Sequence, residues 1–217
     1  MRDNPFHTFL QFATGQTGDQ LSLHGLAWFT VVLFWVIAIS GLVVAAYNWR
    51  RDPTQRTGQH LAIFLMRFTM AGMWYQGTLW KLPWPVATGF DYWLKQTAKF
   101  SSFQLHADIM QVFIDHVAIA QPLVYLLEIF FTASLMLGFA VRFTGIVAAL
   151  FTANLWIGLY NDPTEWGWTY MAIICATGMF AAVRAGFSLG LDNLIAKGLV
   201  PFPARNSVIG RACTLAS

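Results

Sequence analysis

Between Val117 and Ala140 runs an apolar stretch interrupted by one charge, Glu128, and the next charged residue after it is Arg142, beyond thirteen uncharged positions. A bilayer core needs about 20 consecutive apolar residues per helix, which this stretch supplies. Glu128 falls near its middle, where an ionised carboxylate has an insertion cost of about 2.5–3.5 kcal/mol and is expected to be protonated or paired. Arg142 stands at the end of the stretch, where a guanidinium reaches headgroups or water. These two residues constrain the fold: other segments must offer Glu128 a partner, and Arg142 marks one face of the membrane.

Composition agrees with a membrane setting. The chain is 57% hydrophobic and 11% charged, with a mean hydropathy of +0.53, against about 25% charged residues in soluble domains. Its net charge of +3 is spread over the ends of apolar segments and forms no single patch, so nucleic acid is not an expected partner. Cys175 and Cys213 offer neither a disulfide framework nor a metal-binding spacing, and the sequence carries no haem, flavin or nucleotide motif.

Five spans are predicted. Residues 1–25 are mixed polar and apolar and read as an extracytoplasmic segment. An uncharged helix follows over 26–47, with Gly41 and Ala45 as a packing seam. The basic loop 48–59 contains Pro53, which is expected to break any helix through it. A second helix, 60–80, carries Arg67, Tyr75 and Gln76. The polar segment 81–116 opens on Pro83-Trp84-Pro85 and contains two amphipathic stretches, 91–100 and 103–117, expected to lie on the membrane surface. Helices over 117–140 and 143–160 form a hairpin about Arg142. The second has small residues at Gly145, Ala149 and Ala153, and Asn154 as its polar position. The last helix, 168–187, shows a seam of Gly178, Ala182 and Gly186, and 196–217 is a basic tail.

Arginine and lysine counts orient the bundle. One side holds eight (Arg50, Arg51, Arg56, Arg142, Arg184, Lys197, Arg205, Arg211) and the other four (Arg2, Lys81, Lys95, Lys99). The positive-inside rule makes the first side cytoplasmic, with the N-terminus outside and the C-terminus inside, as for the inner membrane of a prokaryote.

Arg67 and Glu128 are the expected catalytic or structural pair, since their Cα depths differ by only about 5–10 Å at 1.5 Å per residue. They read either as a buried ion pair fixing register or as a proton-handling group with its counter-ion. Asn154 lies near the same depth. Tyr75, Gln76, Trp80 and Lys81, with Trp156, form an aromatic wall with directed donors, which suits a quinone headgroup; the plain alternative is an interfacial belt with a snorkelling lysine. His106, Asp108, Asp115 and His116 crowd one segment without metal-ligand spacing and read as a solvated face, so no metal is expected.

With those helices placed, several short motifs stand in order: Arg67 early in a helix, Gly77 and Lys81 at its end, Glu128 within the membrane, Gly138-x-x-x-Arg142, and Arg184-x-Gly-x-x-Leu-Gly-Leu-Asp192. The pattern resembles the DoxX/DoxD-like family of integral membrane proteins over about residues 60–195. The Asn-Asp-Pro-Thr-Glu-Trp loop at 161–166 is similar to the DoxD branch, the membrane subunit of thiosulfate:quinone oxidoreductase. The resemblance implies an all-α, four-helix transmembrane bundle, here with one extra N-terminal span. It also implies a quinone-linked redox subunit with a sulfur-compound donor. The competing expectation is a non-catalytic subunit of a larger respiratory or photosynthetic complex, docked through the extra helix. Either way other membrane subunits and the lipid bilayer are the expected partners.

Overall fold

The computed structural model describes residues 4–82, 88–200 and 215–217, and these are helical, with no strand among them. Pro83-Trp84-Pro85 and most of the basic tail fall outside the described residues. Helix α1 (Pro5–Thr14) starts on an Asn4 side-chain cap and stops at Gly15 in the left-handed region, and α2 (Gly18–Ser22) starts on a Thr17–Gln20 capping box. The mixed sequence of 1–25 therefore contains two short helices. Phe12 and Ala13 of α1 are buried, while Phe6, Phe9 and Leu10 are exposed.

Helix α3 (Ala27–Arg51) ends one residue before Asp52-Pro53, as the missing proline donor requires. Helix α4 (Gly58–Thr78) is capped by Thr57 and runs into a 3-10 turn, Leu79–Lys81. The surface stretches form α5 (Thr88–Lys99) and α6 (Gln104–Asp115). Helices α7 (Val117–Leu137) and α8 (Val141–Leu159) turn about Gly138 at φ 69° and Ala140 at φ 53°, and α9 (Gly167–Ala182) and α10 (Leu191–Ala196) follow.

Among the described residues three segments are long and apolar enough to cross a membrane: His24–Arg51, Val117–Leu137 and Val141–Leu159. Helix α4 matches them in length but carries Arg67, and α9 is apolar but 16 residues long. The outward faces suit lipid: α3 leaves Trp28, Val32, Val36, Ile39 and Val43 exposed, a surface water would penalise and hydrocarbon does not.

The core forms where α3, α4, α7, α8 and α9 meet, around Phe34, Trp74, Tyr75, Phe131, Leu135, Ala148 and Phe180. Helix α3 lays Phe34, Ala38, Gly41 and Ala45 inward, and a Cβ on Gly41 would stand 2.6 Å from the Met136 carbonyl oxygen. The expected Gly41 and Ala45 seam thus serves two neighbours: Gly41 meets Met136 of α7, and Ala45 packs with Phe64 of α4 and Leu189. Gly145 of α8 likewise touches the Thr177 backbone of α9. The partner face is Thr177 and Ala181, whereas Gly178 meets nothing within 4 Å and Ala182 is exposed. The seam predicted on α9 is therefore one residue out of phase; Gly186 lies past the helix end, against Asp192. A pattern of small residues gives spacing but not rotation about the axis.

Candidate functional site

At the end of α4 the chain tightens into the Leu79–Lys81 turn, which folds the lysine side chain back alongside the bundle. Its Nζ forms an ion pair with Glu128 Oε1, and both residues are buried. Gly77, one turn before Lys81, borders the pair: a Cβ there would make ordinary van der Waals contact, 3.8 Å from both Glu128 Oε2 and Lys81 Nζ. Gln121, seven residues before Glu128 and so on the same face of α7, donates from Nε2 to the carbonyls of Lys81 at 3.2 Å and Leu82 at 2.9 Å. The turn is thereby tied to α7. Lys81 Nζ also sits 4.4 Å from the Trp80 ring centroid, a cation–π distance. Two buried oxygens, Glu128 Oε2 and Gln121 Oε1, have no hydrogen-bond partner among the described residues. Buried acceptors are nearly always satisfied, so such orphans mark a place where something polar can bind.

A cavity of about 610 Å³ opens beside the pair. Trp80, Phe90, Trp93, Met110 and Phe113 are among its lining, with Leu127, Phe151 and Leu155. Its polar lining is sparse: Lys81, Asn154, Thr97, and Glu165 with Tyr170, whose hydroxyl donates to Glu165 Oε2 at 2.9 Å. Asn154 is held from behind, its Oδ1 3.0 Å from His106 Nε2, and His106 Nδ1 is 2.9 Å from Ser101 Oγ. A flat apolar ligand with a few polar atoms matches such a lining.

The predicted site residues divide. Trp80, Lys81 and Asn154 line the cavity, and Glu128 stands behind Lys81 as its counter-ion. The expected Arg67–Glu128 pair is not formed. Arg67 is fully buried, but it donates to the carbonyls of Leu135 and, at 3.2 Å, Ser188, and the charge that acts on it is Asp192. Similar depth along two helices says nothing of azimuth, and Lys81 reaches Glu128 from the opposite end. The Tyr75 hydroxyl turns away to the Thr30 carbonyl, among Phe12 and Phe34. Gln76 is exposed, and Trp156 stacks edge-on against Tyr160 at 5.7 Å, outside the lining. Sequence reading missed Gln121, whose polar side chain two turns before Glu128 was the available signal. Among the described residues no group of His, Cys, Asp or Glu could hold a metal ion. His106 turns to Asn154, Asp108 to Gln104, Asp115 to Gln111 and His116 to the Val112 carbonyl.

The other end of the bundle is a polar clamp. Asp192 accepts from the amides of Ala140 at 2.8 Å and Val141 at 3.3 Å, and its own amide donates to the Gly138 carbonyl at 2.9 Å. Burial pushes its carboxyl up, and these amides draw it back down. Asn48 of α3 donates to Gly190 O, and Asn193 of α10 donates to Asn48 Oδ1 and Asp52 Oδ2. Gln55 accepts from the Leu189 amide at 2.8 Å. Lys197 pairs with Asp52, and this hydrogen bond, with those from Thr54, holds the Asp52 carboxyl well below the usual aspartate range. A depressed carboxylate stabilises the fold in full above its unfolded value of about 3.9, and the contribution is lost as pH falls below that toward the folded value. Thermal unfolding in detergent across pH 2–6 (about the aspartate range) will therefore show an acid-side loss of stability that Asp52→Asn flattens. Asp192, shifted the other way, contributes the opposite slope and does so in both proteins.

Compared with protein families, with curated proteins and with solved structures, the chain matches none, so the site is read from its own residues.

Proposed function

We propose that the chain is the membrane subunit of a quinone-linked redox system, with the quinone headgroup in the cavity beside Lys81. In this reading α4 and α9 join the three long apolar helices to make five spans, in the inner membrane of a prokaryote with the N-terminus outside. What carries it is the cavity: about 610 Å³, walled by Trp80, Phe90 and Trp93, with an ammonium at its edge whose carboxylate partner has an unbonded oxygen. The order of Arg67, Lys81, Glu128, Gly138-x-x-x-Arg142 and the closing Leu-Gly-Leu-Asp, similar to DoxX/DoxD-like proteins, adds support.

The residues fit a quinone. The aromatic side chains offer faces to a flat ring, and Lys81 and Asn154 are donors for carbonyl oxygens. A bound quinone supplies two-electron, two-proton chemistry, with electrons from a sulfur-compound donor on the membrane's outer side. Lys81 Nζ donates a hydrogen bond to a carbonyl oxygen and stabilises the negative charge that develops there on reduction. Glu128 keeps Lys81 charged and, through its free Oε2, offers a seat for a proton within reach of the lysine. The apolar walls keep bulk water from the charged pair.

The test is quinone content and turnover of protein purified in mild detergent. Trp80→Ala loses bound quinone. Glu128→Gln keeps it, because the amide oxygen still accepts from Lys81, and slows turnover by about 10²-fold, the scale of one proton-transfer group. Wild-type protein that carries no quinone and reduces none with thiosulfate or sulfide would end this reading in favour of a non-catalytic subunit of a larger complex.

A further inference from the structure

His106 does not line the cavity, yet it touches Asn154, the one side-chain amide in its lining, which can present either a donor or an acceptor. Asn154 projects into the lining from α8, and its Oδ1 faces His106 Nε2 at 3.0 Å. On the far side of the ring, His106 Nδ1 faces Ser101 Oγ at 2.9 Å. Gly158, one turn beyond Asn154, leaves room for this ring: a Cβ there would stand 2.9 Å from His106 Cε1. An amide gives one end to each neighbour, so whichever end His106 takes, the other meets the cavity.

We infer that His106 sets the ligand preference of the cavity by holding the Asn154 amide with its NH₂ group inward, which favours ligands whose polar edge is a hydrogen-bond acceptor. Proton counting supports this arrangement. When the Ser101 hydroxyl donates to Nδ1, the ring proton is on Nε2 and donates to Asn154 Oδ1. An imidazolium carries a proton on Nε2 as well, so two of the three ring states turn the amide the same way. The remaining state has Ser101 donating instead to the Phe103 carbonyl, 3.0 Å away, with the proton on Nδ1 and the amide reversed. His106 is a positioning residue here, and the inference rests on the quinone reading above, which supplies the ligand class.

The test is the ratio of affinities for a short-chain 1,4-benzoquinone, which only accepts hydrogen bonds, and its hydroquinone, which also donates. Both are titrated anaerobically by quenching of tryptophan fluorescence in full-length protein. His106→Lys offers Asn154 only donors and keeps the wild-type ratio. His106→Glu offers only acceptors, turns the amide, and shifts the ratio toward hydroquinone by about tenfold, the worth of one hydrogen bond. Asn154→Asp, which puts acceptors into the cavity directly, shifts it the same way. A residue that merely fills space would give lysine and glutamate variants that behave alike, and that result overturns the inference. A wild-type ratio favouring hydroquinone, reversed by His106→Lys, would overturn it by showing the amide the other way round. Quinone binding with a ratio that no variant moves sinks this inference alone, whereas wild-type protein that binds neither probe sinks the quinone reading with it.

Discussion

Lys81→Met and Glu128→Leu will each destabilise the protein by about 3–5 kcal/mol, and the double variant will recover most of that loss. Each single change strands a buried charge: Lys81 and Glu128 are 7% and 1% exposed, and no other charged side chain forms a salt bridge with either among the described residues. The lining around Lys81 is mostly apolar, so the cost is that of an uncompensated ion in an apolar surround. Replacing both removes the desolvation penalty along with the attraction, which is why an apolar pair of similar volume is tolerated. Thermal or denaturant unfolding in one detergent gives the four corners of the cycle, and strictly additive losses would show that the two residues do not interact. The same cycle on Arg67 and Glu128 will be additive, since Arg67 is bonded to the Leu135 and Ser188 carbonyls instead.

Gly138→Ala carries the second large effect. Gly138 sits at φ 69°, and a Cβ there would lie 2.5 Å from the Gly190 Cα and 2.7 Å from Arg67 Nη1. The left-handed backbone costs a non-glycine residue about 1–2 kcal/mol, and overpacking against backbone adds about 1–3 kcal/mol. Arg67 has no alternative position, because it is fully buried with its Nε already unpartnered. The expected result is a loss of about 2–5 kcal/mol, the sum of those two effects, or no folded protein. Gly178→Ala is the control. It lies inside α9 with nothing within 4 Å of its Cβ position, so it will be neutral or stabilise by up to about 1 kcal/mol through helix propensity. Equal losses at both positions would refute the close contact at Gly138.

Helices were legible because their signals are local. The apolar run from Val117, the stop at Asp52-Pro53 and the periodicity of 103–117 each need only neighbouring residues. Partners were not legible on the same terms. Arg67 and Glu128 share a depth, but rotation about each helix decides which side chains meet, and an end-of-helix turn can send Lys81 inward. Lys81 read either as a quinone donor or as a snorkelling cation because its position along the chain was interfacial; its burial depends on α2, α5 and α7 packing against the Leu79–Lys81 turn. The α9 seam failed for a related reason. Gly178 and Thr177 differ by one residue and about 100° of rotation, and only the helix packed alongside chooses between them. Of the site itself, Trp80, Lys81, Glu128 and Asn154 were visible as isolated polar or aromatic positions, while His106 was visible only as one of a crowd.

The clamp at the Arg142 end sets an order of events during synthesis. Asn48 meets Asn193 across 145 positions of chain, and Asp52 meets Lys197 across the same separation. Helix α3 leaves the ribosome early, but its buried polar end has nothing to bond until the segment 188–197 has been made. Contacts so distant in sequence close last, and until they do the exposed groups of Asn48, Asp52 and Arg67 are available to chaperones and to misassembly. Truncation before Ser188 will therefore yield helices that insert but do not lock, and protease sensitivity of the 48–60 loop will persist until the final helix arrives.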